Sequence, residues 1–365
     1  MSNTKIKVGI LGATGMVGQW FVKLLENHPW FEVAALAASP RSAGKAYEEV
    51  VAAKWAMDID IPEGIANMTV LSVADDVEKV ASEVDMVFCA IDLPKDEIRK
   101  IEEAYAAAGV PVVSNNSAHR WTADVPMIMP EINPEHLEMI KLQKKNRGWT
   151  TGFIATKPNC SIQSYVPLIR AWQQFKPTSL IVSTYQAVSG AGKTLETWPE
   201  MDDNVIPYIG GEEEKSEKEP MKILGDIENE KFAQADGPTI SANCIRVPVS
   251  NGHMVAVNIS FGPPAGGSPS TQELIDAIKN FKSPIDELEL PSAPRPLITY
   301  FEEDDRPQTK LDRNISNGMG VSVGRLQEEP VLGYKCVTLS HNTVRGAAGG
   351  AILTAELLVK KGFIQ

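Results

Sequence analysis

The chain has 365 residues, 43% of them hydrophobic and 22% charged, with a formal net charge of −12. Two domains are expected at that length, and the acidic balance argues against nucleic acid or an anionic membrane as partner. Four dispersed cysteines and five dispersed histidines, with no C-x-x-C pair and no H-E-x-x-H, exclude a disulfide framework and a zinc-type ligand set, so a cytoplasmic, metal-free protein is expected.

The Met-Ser-Asn-Thr-Lys start runs directly into an apolar strand at 5–11, leaving no room for a signal peptide. No apolar run reaches the roughly 18 residues a membrane helix needs. After the first strand come Gly12, Gly15 and Gly18, in the run Gly12-Ala13-Thr14-Gly15-Met16-Val17-Gly18, then a helix through residue 25 and a second strand at 31–37. Further apolar runs at 84–90 and 110–114 flank a helical stretch at 95–108. Strands alternating with helices predict a doubly wound, Rossmann-like α/β domain with a parallel sheet.

The glycine spacing is G-x-x-G-x-x-G rather than G-x-G-x-x-G. Between a strand and a helix it suits a pyrophosphate, which takes the helix N-terminal N–H groups and needs close backbone approach. A tight strand-to-helix turn would also demand glycine. The second strand ends in Ala37-Ala38-Ser39-Pro40-Arg41-Ser42, with no carboxylate for a ribose 2′-hydroxyl. Ser39, Arg41 and Ser42 instead fit a 2′-phosphate, which favours NADP as cofactor.

Cys160 lies in Lys157-Pro158-Asn159-Cys160-Ser161-Ile162-Gln163. Ile162, Tyr165, Val166 and Ile169 fall at i, i+3, i+4 and i+7, which predicts an amphipathic helix directly after it. A thiol at a helix N-terminus feels unpaired N–H groups and the positive dipole end, which favour thiolate. The same N–H groups could form an oxyanion site. Cys89, Cys244 and Cys336 read as small buried hydrophobes.

Beyond Cys160 the texture changes to longer alternating strands at 180–188, 244–249, 253–261 and 336–340, the pattern of a second α+β domain with a large mixed, mostly antiparallel sheet. Residues 211–222, charge-rich and containing Pro220, read as a loop, as do 262–267. The small-residue stretch 343–358 reads as a helix returning to the first domain. The expected division is 1–157 plus 343–365 for the nucleotide and 158–342 for catalysis and dimerisation.

Four motifs in order, Gly12 to Gly18, Pro158-Asn159-Cys160-Ser161, Thr184-Tyr185-Gln186-Ala187-Val188-Ser189-Gly190 and Arg246-Val247-Pro248-Val249-Ser250-Asn251-Gly252-His253, resemble the aspartate-semialdehyde dehydrogenase family, most closely its archaeal and fungal branch. The resemblance spans nearly the whole chain. It implies reversible, NADP-linked interconversion of L-4-aspartyl phosphate with L-aspartate 4-semialdehyde and inorganic phosphate, on the route to lysine, threonine and methionine. It makes Cys160 the nucleophile that forms a thioester, His253 the general acid/base and Gln186 the residue orienting the acyl intermediate. Arg246 would grip the α-carboxylate, Glu219 and Lys222 the amino and phosphate groups, Arg120 the phosphate, and Asn159 the substrate. Thr14, Met16 and Val17 with the three glycines, Ser39, Arg41, Ser42, Ser189, Gly190, Asn342 and Arg345 would contact the cofactor. A homodimer or homotetramer is implied.

The chemistry agrees with those roles. A thiolate splits a difficult acyl transfer into two easier steps. An imidazole titrates near working pH, and a guanidinium binds a carboxylate bidentately. Read alone, His253 could be a turn residue and Gln186 a structural hydrogen-bonder. His119 and His341 flank site segments without an assigned role. The competing readings are a malonyl-CoA or succinyl-CoA reductase, N-acetylglutamyl-phosphate reductase as a more distant relative, and a non-catalytic NADP sensor.

Overall fold

The computed structural model describes residues 5–262 and 268–365. The loop expected at 262–267 therefore lies, after its first residue, outside the described residues, as do residues 1–4. Strands β1 (Ile6–Leu11), β2 (Phe31–Ala38), β3 (Val70–Ser72), β4 (Met86–Cys89), β5 (Val112–Ser114) and β6 (Ile154–Thr156) form one sheet in the order β3-β2-β1-β4-β5-β6. Every pairing in it is parallel. Strands such as β4 are buried throughout, which a parallel sheet covered on both faces requires. The order reverses between β1 and β4, and the crevice at the carboxyl ends there is where such sheets bind ligands.

The β1 turn explains two of its glycines. Gly12 has φ +86, and a Cβ on it would lie 2.3 Å from the Ala90 carbonyl oxygen. One on Gly18 would lie 2.2 Å from the Gly12 oxygen. Both sites exclude any side chain. Gly15 is different, since a Cβ there would meet only the Gly12 oxygen at 3.6 Å.

Strand β7 (Pro177–Gln186) opens the second sheet, and β8 (Ile227–Glu228) with β9 (Lys231–Phe232) makes a small separate ribbon. The sheet continues with β10 (Thr239–Arg246), β11 (His253–Phe261), β12 (Ile298–Phe301), β13 (Val321–Glu329) and β14 (Gly333–Ser340), ordered β10-β7-β11-β14-β13-β12. The β7/β11, β11/β14 and β13/β14 pairs are antiparallel, while β10/β7 and β12/β13 are parallel. One face carries Leu180, Val182, Val255, Val257 and Ile259 into a core shared with Trp172, Leu274 and Ile278. The other leaves Ile181 and Tyr185 exposed. No helix among the described residues is long and apolar enough to cross a membrane.

Two segments differ from their sequence reading, each for a proline reason, and the C-terminal stretch is helical as expected. The charged stretch expected as a loop is the helix Glu212–Leu224, running through Pro220. Proline removes the N–H that would bond the Ser216 carbonyl, and the Tyr165 hydroxyl donates to that oxygen instead, at 2.6 Å. Glu212, Glu213 and Glu214 fill the first turn, where negative charge suits the dipole.

The helix expected directly after Cys160 begins only at Val166 (Val166–Ala171), with Pro167 in its first turn. Proline is at home there, and the segment between is a series of turns. Pro167 leaves the Gln163 carbonyl without a helical donor, and Arg345 Nε donates to it at 3.2 Å. The C-terminal stretch opens as a π-helix, Val344–Ala348, before the α-helix Gly349–Lys360. Gly346 and Gly350 accept the nucleophile loop, since a Cβ on the first would lie 2.8 Å from Cys160 Cβ and one on the second 2.4 Å from Lys157 Cε. The helix's apolar side chains join the core that holds Phe21, Phe31 and Phe88.

Candidate active site

Cys160 follows β6 in a turn built by its neighbour. Asn159 Oδ1 accepts from the Ser161 N–H at 2.7 Å and from Ser161 Oγ at 2.6 Å, an Asx-type closure that presents the intervening residue. Asn159 Nδ2 donates to Glu212 Oε1 at 3.1 Å. Cys160 is partly exposed, and its Sγ lies 3.5 Å from His253 Nε2.

Three strand ends supply the opposite wall. Gln186 closes β7 beside Arg246 at the end of β10, the two being register partners. His253 opens β11 one residue before the Met254–Tyr185 pair. Strand alternation puts all three inward, and all three are buried. His253 Nδ1 accepts from the Ala187 N–H at 3.1 Å, which leaves the ring proton on Nε2, facing Cys160. Burial, with Arg246 adding to it, pushes His253 down to about 3. The ring is thus neutral at working pH and acts as a hydrogen-bond donor, whereas the sequence pointed to a histidine titrating near neutrality.

Gln186 Oε1 accepts from Thr184 Oγ1 at 2.9 Å, and its Nε2 donates to Glu212 Oε2 at 3.3 Å. Arg246 Nη1 donates to the Ala187 carbonyl at 2.6 Å. Gly190 leaves the room this wall needs, because a Cβ there would lie 2.9 Å from Arg246 Nη1 and 3.2 Å from His253 Nε2.

A second cluster lies on the other side of the nucleophile loop. Arg120 Nη1 donates to Glu219 Oε1 at 2.9 Å, its Nε to the Lys157 carbonyl at 2.9 Å, and its Nη2 to the Asn115 carbonyl at 3.0 Å. Glu219 Oε2 accepts from the Asn159 N–H at 2.6 Å. Lys222 Nζ donates to the carbonyls of Arg120 at 2.7 Å and Val125 at 3.0 Å, and lies 4.2 Å over the Phe232 ring. Burial pushes Lys222 down to about 8. Arg120, Asn159, Glu219 and Lys222 are therefore brought together, on elements far apart in the chain.

The thiol does not behave as the sequence suggested. Burial and the Glu212 carboxylate push Cys160 up to about 11, against the pull of Lys157, Arg120 and Arg246. With the helix starting only at Val166, no first-turn dipole sits beneath the sulfur. The Ser161 N–H, expected at an oxyanion site, is committed to Asn159. Lys157 is itself buried, donating to the Pro158 carbonyl at 3.3 Å, and desolvation pushes it down to about 7.

Gly12, Thr14, Gly15, Met16, Val17 and Gly18 sit at the carboxyl end of β1. Ser39, Arg41 and Ser42 form a turn after β2, closed by the Ser42 N–H to the Ser39 carbonyl at 2.9 Å, with Ser39 and Arg41 exposed. Ser189 and Gly190 lie in the turn after β7. Asn342 joins that turn to the one before His253, accepting from the Gly252 N–H at 2.8 Å and donating to Ser189 Oγ at 2.9 Å. Two observations fit a nucleotide in the crevice: the open position at Gly15, and the Asn115 carboxamide after β5, both of whose polar atoms are buried without a partner among the described residues.

Arg345, expected at the cofactor, is engaged by protein groups through Nε and Nη1. Its Nη1 donates to Glu131 Oε1 at 2.6 Å and to the Met319 carbonyl at 2.9 Å, in an almost fully buried ion pair. A guanidinium at that depth needs a carboxylate, and Glu131 is it. Glu212, Lys157 and Asn115 are site residues that sequence reading missed. Only their neighbours carried a signal, Lys157 through Cys160 and Asn115 through Arg120.

Residues 7–140 match the semialdehyde dehydrogenase NAD-binding domain and 166–345 the semialdehyde dehydrogenase dimerisation domain. The chain is 43% identical over 365 residues to the aspartate-semialdehyde dehydrogenase of Archaeoglobus fulgidus, covering 99% of this chain and 100% of the relative. It is 42% identical over 372 residues to that of Aspergillus fumigatus, covering 100% and 99%. A crystal structure of aspartate semialdehyde dehydrogenase with NADP from Candida albicans superposes with a TM-score of 0.87 at 37% identity, covering 99% of this chain and 100% of the other.

Proposed function

The chain belongs to the aspartate-semialdehyde dehydrogenase family, and on that premise we propose the reaction it runs and the part each side chain takes. It is an NADP-dependent enzyme that interconverts L-4-aspartyl phosphate with L-aspartate 4-semialdehyde and inorganic phosphate. The approach of His253 Nε2 to Cys160 Sγ at 3.5 Å, between Gln186 and Arg246, carries this reading. The Cys160 sulfur attacks the acyl carbon, the carbon–oxygen bond to phosphate breaks, and phosphate leaves with that electron pair and takes up the thiol proton, while the acyl group stays as a thioester. When bound, the cofactor would supply the hydride to the thioester carbonyl as NADPH, and as NADP+ would accept it in the reverse direction.

Arg246 holds the substrate α-carboxylate and so fixes the carbonyl carbon relative to the sulfur. Arg120 and Lys222 hold the phosphate, Glu219 the amino group, and Asn159 keeps the loop in place. A substrate with both an ammonium and a phosphate can replace the Arg120–Glu219 pair with two pairs of its own. His253 and Gln186 face the reacting carbonyl. The Gly12–Gly18 turn, Ser39, Arg41, Ser42, Ser189, Gly190 and Asn342 hold the cofactor.

The nucleotide part comprises 1–157 with 343–365, and the catalytic part 158–342. The dimerisation domain and the exposed Ile181 and Tyr185 on the open sheet face support a homodimer, or a tetramer of two such dimers, in the cytoplasm. The test is phosphate-dependent NADP reduction by purified protein given L-aspartate 4-semialdehyde, with Cys160→Ala alongside. Turnover that needs phosphate and vanishes in the variant is expected. NADPH oxidation with malonyl-CoA instead would overturn the substrate.

A further inference from the structure

Two amide side chains flank Cys160, and a single carboxylate holds both. Glu212 Oε1 accepts from Asn159 Nδ2 at 3.1 Å and from Lys215 Nζ at 2.7 Å, while its Oε2 accepts from Gln186 Nε2 at 3.3 Å. A carboxylate can only accept, so the nitrogen end of each amide must face it. Thr184 Oγ1 meets the oxygen end of Gln186. The second N–H of Gln186 is then left facing the site, where its nitrogen lies 3.5 Å from His253 Nε2. The Ala187 N–H makes that histidine nitrogen a donor as well. Two side-chain N–H groups thus converge beside the sulfur, in the place the backbone Ser161 N–H does not fill.

From this we infer that Glu212 is a positioning residue of the reaction: by fixing which end of the Gln186 carboxamide faces Cys160, it makes Gln186 a donor to the oxygen of the thioester as negative charge develops there. Were the amide turned over, its oxygen would face that charge and repel it. The inference rests on the thioester reaction proposed above. It also accounts for an otherwise costly choice, a buried anion near a sulfur that must become anionic. Burial works to raise the Glu212 carboxyl, but Lys215, Gln186 and Asn159 keep it below its ordinary value.

The test compares Glu212→Gln with Glu214→Gln, an exposed first-turn residue paired with Lys218. Turnover is measured together with the pH profile of Cys160 alkylation by iodoacetamide. Cys160 is faced by Glu212, Lys157, Arg120, Arg246 and His253, and only the first changes. In Glu212→Gln, kcat should fall about ten- to a hundredfold with KM within about threefold, while the alkylation profile moves to lower pH. A more reactive sulfur with slower turnover is not what mere loosening gives. Glu214→Gln should change neither.

Unchanged kcat in Glu212→Gln overturns the inference, as does a loss with an unmoved alkylation profile. If that variant does not fold, Glu212→Asp decides. Its shorter arm keeps the charge but cannot span both amides, so reduced kcat with an unmoved profile supports the role and wild-type kcat overturns it. Wild-type protein without turnover would overturn the reaction itself, and the role with it, before any variant is made.

Discussion

Tyr165 caps a gap that Pro220 opens: its hydroxyl donates to the Ser216 carbonyl, the one group in the Glu212–Leu224 helix that proline deprives of a donor. That helix carries Glu212, Glu219 and Lys222, so one phenol supports both walls of the site. A buried carbonyl left without a partner costs about 1–3 kcal/mol. Tyr165→Phe should lose about that much in urea unfolding. Adding Pro220→Ala, which restores the helical N–H, should recover part of the loss; a double variant no more stable than Tyr165→Phe would contradict the pairing.

The ion pair between Arg345 and Glu131 is almost fully buried at both ends. Removing one partner of such a pair typically costs about 3–5 kcal/mol, because the other charge is stranded. Glu131→Gln should therefore be strongly destabilised in chemical denaturation. Glu131→Leu with Arg345→Met should recover most of that, which an unpaired arginine serving the cofactor would not predict.

Gly346 sets the distance between the π-turn and the nucleophile. In Gly346→Ala the new methyl would have to displace Cys160 Cβ, 2.8 Å away. A shift of a few tenths of an ångström at the reacting atom is expected to lower kcat by about tenfold or more, while cofactor affinity stays near wild type. Steady-state kinetics and a cofactor titration would separate the two.

Lys157 gives a signed pH dependence. Its folded value, about 7, lies well below the ordinary lysine value of 10.5. Between those pH values the unfolded chain binds the extra proton, so stability from this group rises with pH and is lowest below about 7. Lys157→Met removes the term. The variant should gain stability over wild type more at pH 6 than at pH 9, measured as the difference between the two proteins at each pH. A gap that widens toward pH 9 would contradict a desolvated lysine.

Rapid alkylation of Cys160 at neutral pH is not expected in the free enzyme, whose thiol lies near 11. Iodoacetamide incorporation should climb steadily from pH 7 to pH 10 without a plateau. A plateau reached by pH 8 would mean that the sulfur is already ionised at rest.

The nucleotide half was legible because its signals are local: a buried strand, three glycines and a helix stand consecutively between residues 6 and 25. Cys160, Gln186, Arg246 and His253 were legible through the ordered motifs around them, and strand alternation then placed the last three on one face. The rest depended on partners far away in sequence. Nothing near Pro220 announces Tyr165, so the segment read as a loop. Pro167 did mark the true helix start, and the apolar spacing around it concealed that. The neutral state of His253 follows from burial and one backbone N–H. Glu212 looked like one acid among several until two amides were found sharing it.

The seam of Gly346 and Gly350 under the nucleophile loop bears on where the enzyme can be cut. Cys160 and Lys157 rest on residues that reach them from beyond the last strand of the second sheet. A chain clipped before Val344 keeps every strand of both sheets, but its cysteine loop has no floor. Such a fragment should be catalytically silent even with every residue that touches substrate intact.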